Sequence, residues 1–403
     1  MKRSAVNSIS NEMRILHSIP YFPYFEDNKI VGGAANALRN LVIMQSCNHA
    51  TTIAGPMPRP LRNMPGRYNV NFAPLQCHGV PGTTRYGLRY TWAITKWISE
   101  NRDIYDIVHF HSGFLDYVLA SRLSRAFGGP PTVHTLYCPV NAGDGRWANS
   151  LYRQILLRCV NSVDAFTAIS QNVRQSLVNY GVRRNKLPVV PPVVDFDRFY
   201  PAKNATLLRS AFRLPASTFV LLFVGNLKPA KNLAAVLKAF ADVRQSIDDA
   251  YLVITTELKY EPDQERSSSI ATMIRDLGIE DYVRQFGIID DMGDLMRASD
   301  VLIAPFLDTF GPSDYFMAAL EAMASGIPVI VSPVGAMPEV MSPDIGMQVD
   351  PTKPREIADA MLKLANDPDR RIHMGKAAAE VIRNRFSGRQ IAERYDQIYQ
   401  EVC

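Results

Sequence analysis

Cysteine is scarce in this 403-residue chain, and what there is does not pair. Cys47, Cys77, Cys138, Cys159 and Cys403 are odd in number, scattered, and form no Cys-x-x-Cys. That argues against a disulfide framework and a thiolate zinc site, and for free thiols in a reducing cytoplasm. No stretch of about 18 apolar residues is present, so no membrane-spanning helix is expected. The opening MKRSAVNSISN lacks the apolar core of a signal peptide and reads as a loose tail. No low-complexity tract occurs, and nothing resembles a nucleic-acid motif. No Gly-x-Gly-x-x-Gly follows the first strand with an acid about 20 residues on, which argues against a dehydrogenase.

What is present is the composition of a globular protein, 47% hydrophobic and 21% charged, long enough for two or three domains. The charge is unevenly spread. Residues 1–195 carry 21 Lys and Arg against 10 Asp and Glu, leaving 23 and 29 of the chain's 44 and 39 for the remainder. A basic first half suits an anionic membrane face or an anionic acceptor. A basic surface kept for solubility explains the same numbers.

The chain is organised around Phe306 to Glu339. The run Val301-Leu302-Ile303-Ala304-Pro305 reads as a buried strand. A turn follows, then a helix from about Asp314, then the strand Pro328-Val329-Ile330-Val331. Strand, turn, helix, strand is a parallel βαβ unit, which puts the turn at the ligand-binding carboxyl end of the sheet. Free N–H groups there favour an anion. Glu321, further along the helix, would repel a phosphate but could accept hydrogen bonds from a ribose diol. On position alone it is equally well a solvated helix residue.

The same logic appears earlier. Met13–Ile19 reads as a first strand, Gly32-Gly33 precede a helix to about Ser46, and Ala50–Ala54 is the next strand. Residues 55–82 read as irregular, or as a short hairpin. Arg85–Glu100 reads as an amphipathic helix whose aromatics either pack on the sheet or face an interface; packing is favoured, because Trp is costly to expose. Asp106–His111 and Thr132–Thr135 read as adjacent strands, with Ser112 placed to cap the helix between them. Their ends bring His109, His111 and His134 together. Clustered histidine suggests metal, but with no carboxylate or thiolate at ligand spacing no metal site is expected. In the second half, Phe219–Leu227 is a buried strand ending near Gly225, with Lys228 and Lys231 before a helix. Cations at a helix N-terminus oppose its dipole unless an anion joins them; exposed loop lysines are the plainer explanation.

The run Leu320–Ile330, LEAMASGIPVI, resembles the signature of the retaining GT-B glycosyltransferases, glycosyltransferase family 4 (glycosyl transferases group 1). The resemblance extends from about Met13 through nearly the whole chain, and includes Gly32-Gly33, Val-His-Thr at His134, the proline-rich hinge ending in Asp195-Phe196-Asp197-Arg198-Phe199-Tyr200-Pro201, and Lys231. It implies an α/β, GT-B architecture: two Rossmann-like domains with parallel sheets facing a central cleft. The implied divisions are 1–197, an acceptor-binding domain; 198–386, a nucleotide-sugar-binding domain; and 387–403, a helix crossing back to the first domain. The implied donor-binding set is Gly33, Gly225, Asn226, Lys228, Lys231, Ile288, Ser313 and Glu321, with Glu321 on the ribose and Lys231 on the diphosphate. The implied catalytic set is His134, Lys231 and Asp314, with Gly32 and His111 on the acceptor side. The chain departs from the pattern twice. Ser313 stands where a Glu-x7-Glu motif has its first acid, with Asp314 next door, and Asn226 stands where the phosphate-binding arginine would be.

The implied activity is transfer of a sugar from a UDP- or GDP-sugar to an acceptor hydroxyl with retention, without a cofactor or bound metal. The implied acceptor is a glycan or lipid-linked molecule in cell-surface assembly, handled in the cytoplasm or at the inner face of the membrane. Two other functions fit the same pattern: a sugar-nucleotide epimerase of this fold, and an inactive GT-B scaffold, which the two departures would favour.

Overall fold

The computed structural model describes residues 12–20, 32–56, 70–77, 83–140, 150–182, 187–202, 205–256, 261–309 and 313–403. The chain divides into two compact units. One comprises Met1–Ile169, Val173–Pro192 and Gly388–Cys403; the other comprises Ser170–Asn172 and Val193–Ser387.

In chain order the first unit runs β1 Arg14–Ser18, α1 Gly33–Gln45, β2 Ala50–Gly55, β3 Val70–Pro74 and α2 Thr84–Glu100. It continues through β4 Ile107–Ser112, α3 Val118–Ala126, β5 Thr132–Leu136, α4 Ser150–Ser162, β6 Ala165–Ala168 and α5 Gln171–Tyr180. The second unit runs α6 Ala205–Arg209, β7 Phe219–Val224, α7 Leu233–Arg244, β8 Ala250–Thr255, α8 Glu261–Asp276 and β9 Val283–Phe286. It continues α9 Met292–Ala298, β10 Val301–Ala304, α10 Met317–Ala324, β11 Val329–Val331, β12 Gly346–Gln348, α11 Pro354–Asn366 and α12 Pro368–Arg385. Helix α13, Gly388–Val402, belongs to the first unit.

The first sheet has the order β3-β2-β1-β4-β5-β6 and the second β12-β11-β10-β7-β8-β9, with every pairing parallel. Both are the doubly wound Rossmann order, in which the winding reverses beside the first strand. The reversal falls between β1 and β4 in one unit and between β7 and β10 in the other. The expected βαβ unit at Val301–Val331 is present, but its helix starts at Met317 rather than about Asp314. Residues 313–316 instead form a buried turn.

Strand period decides what each face of the first sheet carries. In β4, Ile-Val-His-Phe-His-Ser, Val108 and Phe110 join Leu16 and the α2 residues Tyr86, Tyr90, Ile94 and Ile98 in one apolar cluster. His109 and His111 point the other way, beneath α13, where His109 meets Tyr395 and Tyr399. Helices α2, α3 and α4 pack side by side, whereas α1 packs on α13.

Two expectations are corrected here. The stretch expected to be irregular or a hairpin contains β3, a parallel edge strand in register with β2 from Thr51↔Val70 to Gly55↔Pro74; residues 57–69 and 78–82 lie outside the described residues. Ser112 does not cap a helix. Its hydroxyl donates to the Phe114 carbonyl and bonds the His134 ring, and Val118 is reached through a single 3-10 turn at Leu115–Tyr117.

In the second unit, β7 (Phe-Val-Leu-Leu-Phe-Val) is buried over Phe219–Phe223, as a strand covered on both faces must be. Helix α10 is nearly as buried, and it ends in a tight reversal. Gly326 takes φ 79, its N–H bonds the Met323 carbonyl, and the Ile327 N–H bonds the Ala322 carbonyl. A side chain on Gly326 would meet Pro201, and one on Gly375 of α12 would come within 2.0 Å of the Gly326 oxygen. The Ser-Gly-Ile-Pro run is therefore a packing requirement of α10 against α12.

Candidate functional site

The reversal between β7 and β10 brings most of the donor-binding residues named from the sequence to one edge of the second sheet. Gly225 follows β7, and its N–H bonds the Thr255 carbonyl at the end of β8 (3.1 Å). A Cβ there would lie 3.3 Å from the Phe223 ring and 3.6 Å from Lys231 Cγ, so glycine keeps this turn close to the lysine. The Asn226 side-chain oxygen accepts the Lys228 N–H (3.1 Å), an Asx turn that shapes the loop. Lys228 is exposed and Lys231 half-buried.

The Lys231 ammonium stands 4.0 Å above the Phe306 ring centroid and 6.0 Å from that of Phe316. The ring faces hold the cation in place. Asn232, at φ 58, fastens this turn to its neighbours: its amide donates to the Pro305 carbonyl (3.0 Å) and the Pro351 carbonyl (2.7 Å). The Leu307 N–H adds a bond to the Ala230 carbonyl (2.8 Å). The segments after β7 and β10 are thus stitched together.

Phe316, beneath the ammonium, is also the N-cap of α10. Five residues on is Glu321, the one charged residue of that helix, half-buried among buried Met, Ala and Leu. Glu321 thus belongs to the helix whose N-cap ring, Phe316, stands 6.0 Å from the Lys231 ammonium. Among the described residues, neither α7 nor α10 has a side-chain cap or an acid in its first turn. Their leading N–H groups add positive potential to the edge. Ile288, half-buried, sits just past β9 on the same side of the sheet.

Ser313 and Asp314 divide differently from the expectation. Asp314, assigned a catalytic role from the sequence, is fully buried. Its carboxylate accepts from Ser170 Oγ (2.7 Å) and Asn172 Nδ2 (3.0 and 3.2 Å). Burial raises its pKa, the bonds from Ser170 and Asn172 oppose that, and the nearby Glu339 charge adds to it. Its acid group is thus occupied with protein donors. Ser313 is nine-tenths buried and its hydroxyl has no partner among the described residues. Residues 310–312 of the turn before them lie outside the described residues.

On the first unit, Gly32 takes φ 109 at the N-cap of α1 and Gly33 is the first helical residue. The expected histidine cluster is rearranged. Phe110 is opposite His134 in the register of β4 and β5, so His134 shares the face of Phe110, not that of His109 and His111. Its ring is fully buried, stacked 5.0 Å from Phe166, with Nε2 on Ser112 Oγ and Nδ1 on Ser121 Oγ (2.8 Å each). Burial lowers its pKa to about 3. Both ring nitrogens are thus held by serine hydroxyls within the core.

In its place His17 of β1 joins His109 and His111. The three are buried, with ligand-type nitrogens within 4.8 Å of one another, a group large enough to consider for metal and missed by sequence reasoning. Its bonds favour a polar network. His17 Nδ1 pairs with His111 Nε2 (3.1 Å), His111 Nδ1 with the Tyr137 hydroxyl (3.1 Å). His109 Nδ1 pairs with the Tyr399 hydroxyl and Nε2 with Thr135 Oγ1 (2.6 Å each). His17 Nε2, near the Gln45 carboxamide, makes no full hydrogen bond among the described residues. His111, placed on the acceptor side from the sequence, is fully buried in this network.

Comparison with known proteins agrees with both halves. The family Glycosyltransferase Family 4 matches residues 31–198, and the family Glycosyl transferases group 1 matches residues 204–381. A D-inositol 3-phosphate glycosyltransferase of Streptomyces avermitilis is 27% identical over 300 residues, 70% of this chain and 62% of that protein. The chain thus spans under two thirds of that relative's length. An N-acetyl-alpha-D-glucosaminyl L-malate synthase of Bacillus anthracis is 27% identical over 327 residues, 78% of this chain and 80% of that protein. Among solved structures, Anabaena HepE in complex with UDP and glucose superposes with TM-score 0.77 at 16% identity, covering 96% of this chain and 100% of that one.

Proposed function

Since the two matched segments lie in order along one chain, the protein belongs to the glycosyl transferases group 1 family and has the GT-B fold of two Rossmann-like domains, and we propose that it moves a sugar from a nucleotide diphosphate sugar to an acceptor hydroxyl with retention at the anomeric carbon. The observation that carries this reading is Lys231 held against Phe306 and Phe316, with Glu321 further along the helix that Phe316 caps. As the bond from C1 to the β-phosphate oxygen breaks, negative charge grows on the diphosphate. Lys231, with Lys228 and the N-termini of α7 and α10, opposes that charge. Glu321 accepts from the ribose hydroxyls. The acceptor oxygen attacks C1 from the face the diphosphate leaves, and its proton passes to the departing phosphate oxygen. The buried His134 ring and the buried Asp314 carboxylate take no direct part.

A UDP- or GDP-sugar is the donor class, and a glycan or lipid-linked hydroxyl the acceptor. A second acceptor class, small and anionic, is favoured by the relatives named for inositol 3-phosphate and malate and by the basic first half. A panel of nucleotide sugars screened by thermal shift identifies the donor. Turnover with candidate acceptors then yields nucleoside diphosphate and a product whose anomeric configuration is read by NMR. An inverted product refutes retention, epimerised donor without acceptor supports the epimerase, and absence of nucleotide-sugar binding supports the scaffold.

A further inference from the structure

The face of the first unit formed by α2, α3 and α4 exposes large apolar side chains in a field of positive charge. Helix α2 buries Tyr86, Tyr90, Ile94 and Ile98 against the sheet. Its outer stripe is different: Arg85, Leu88, Arg89, Trp92 and Lys96 follow one another at helical spacing, all exposed. Trp92 is 67% exposed and Leu88 61%. The expectation that the tryptophans of this helix pack inward holds partly for Trp97, beside Tyr105, and fails for Trp92. Helix α3 packs on α2, and α4 on α3. They expose Leu123, Leu151 and Ile155. Across the three helices there are seven Lys and Arg against a single acid, Glu100, and that acid lies 3.8 Å from Lys96.

We propose that this three-helix face docks on an anionic lipid surface. Apolar side chains flanked by arginine and lysine are what an interfacial contact needs: the Trp and Leu side chains enter the headgroup boundary while the cations meet lipid phosphates. Nucleic acid is a poorer fit, because Leu88, Leu123, Leu151 and Ile155 neither stack on bases nor meet phosphate. An acidic protein would use the arginines and leave the aliphatic stripe in water. The contact does not depend on the sugar-transfer reading, and its test requires no turnover.

The test is flotation of the full chain with vesicles of phosphatidylcholine alone and of phosphatidylcholine mixed with phosphatidylglycerol. Binding is expected to the mixed vesicles at low salt and to fall as salt rises. The double variants L88S/W92S and R85E/R89E are each expected to lower partitioning more than about tenfold. Arg394→Glu on α13 is expected to bind as the parent does. Because the substituted side chains are exposed, thermal unfolding of each variant should match the parent, separating lost docking from lost folding. No binding to the mixed vesicles, or undiminished binding by both double variants, overturns the proposal. So does a parent that sediments as a dimer while L88S/W92S is monomeric, since the face would then be covered by a second copy.

Discussion

Ser313 and Asp314 are neighbours with opposite fates. The aspartate is enclosed by Ser170 and Asn172 donors, while the serine hydroxyl is buried with no partner among the described residues. Asp314→Ala should cost about 1–3 kcal/mol by leaving those donors unmet. If the group were instead a reacting acid, the variant would keep its unfolding midpoint and lose turnover by orders of magnitude; urea unfolding and steady-state rates together distinguish the two. Lys231 should behave the other way round. Lys231→Ala is expected to lower kcat by about 10²–10³-fold with little change in stability, since the ammonium rests on ring faces at the sheet edge. An unchanged rate removes it from the phosphate. The positions of Lys231 and Glu321 in the fold were legible because the signal is local: a strand, a glycine and a cation before a helix in one case, a lone acid on an apolar helix in the other. Asp314 was not. Its partners lie 144 and 142 residues away, and only the fold supplies them.

At the scale of elements, the first sheet separates a polar from an apolar face by strand alternation. That alternation was visible in Ile-Val-His-Phe-His-Ser. Which other histidine would join depended on register: His17 lies opposite His109 across β1 and β4, whereas His134 lies opposite Phe110. Strand β3 escaped notice for a related reason. Val-Asn-Phe-Ala-Pro is an edge strand, and its mixed polarity resembles loop. The buried histidines make an acid-sensitivity prediction. Burial holds His17 and His134 at about 3, and His109 and His111 well below the usual value. An unfolded histidine titrates near about 6.5, so as pH falls below that the unfolded chain binds protons the folded chain refuses. The stability that depends on these neutral rings is complete above about pH 6.5 and diminishes as pH falls towards 3, by up to about 1.4 kcal/mol per pH unit per histidine. Urea unfolding at pH 7.5, 6 and 5 should show this fall. His17→Leu should flatten its slope by about one proton, and a slope unaltered by the substitution would remove His17 from the effect.

At the scale of the molecule, the two sheets were recognisable from their apolar strand runs and the spacing of their helices, because parallel strands buried on both faces need such runs. The dependence of the first unit on α13 could not be read that way. Ile391, Tyr395, Ile398 and Tyr399 are buried in it. At about 1.5–3 kcal/mol each, the four contribute on the order of 6–12 kcal/mol, comparable with the stability of a whole domain. A chain ending at Ser387 should therefore lose the cooperative unfolding of the first unit and bind a hydrophobic dye, while the transition of the second unit persists. A truncated chain that melts as the parent does would contradict this.

The placement of α13 also bears on biosynthesis. The histidine-bearing strand β4 leaves the ribosome long before residues 388–402 are made. At bacterial or eukaryotic elongation rates the interval is on the order of tens of seconds. Throughout it, the His109 ring awaits Tyr395 and Tyr399, while residues 193–387, which fold into the other unit, are being made. The first unit therefore cannot complete its packing until the last helix of the chain has been made.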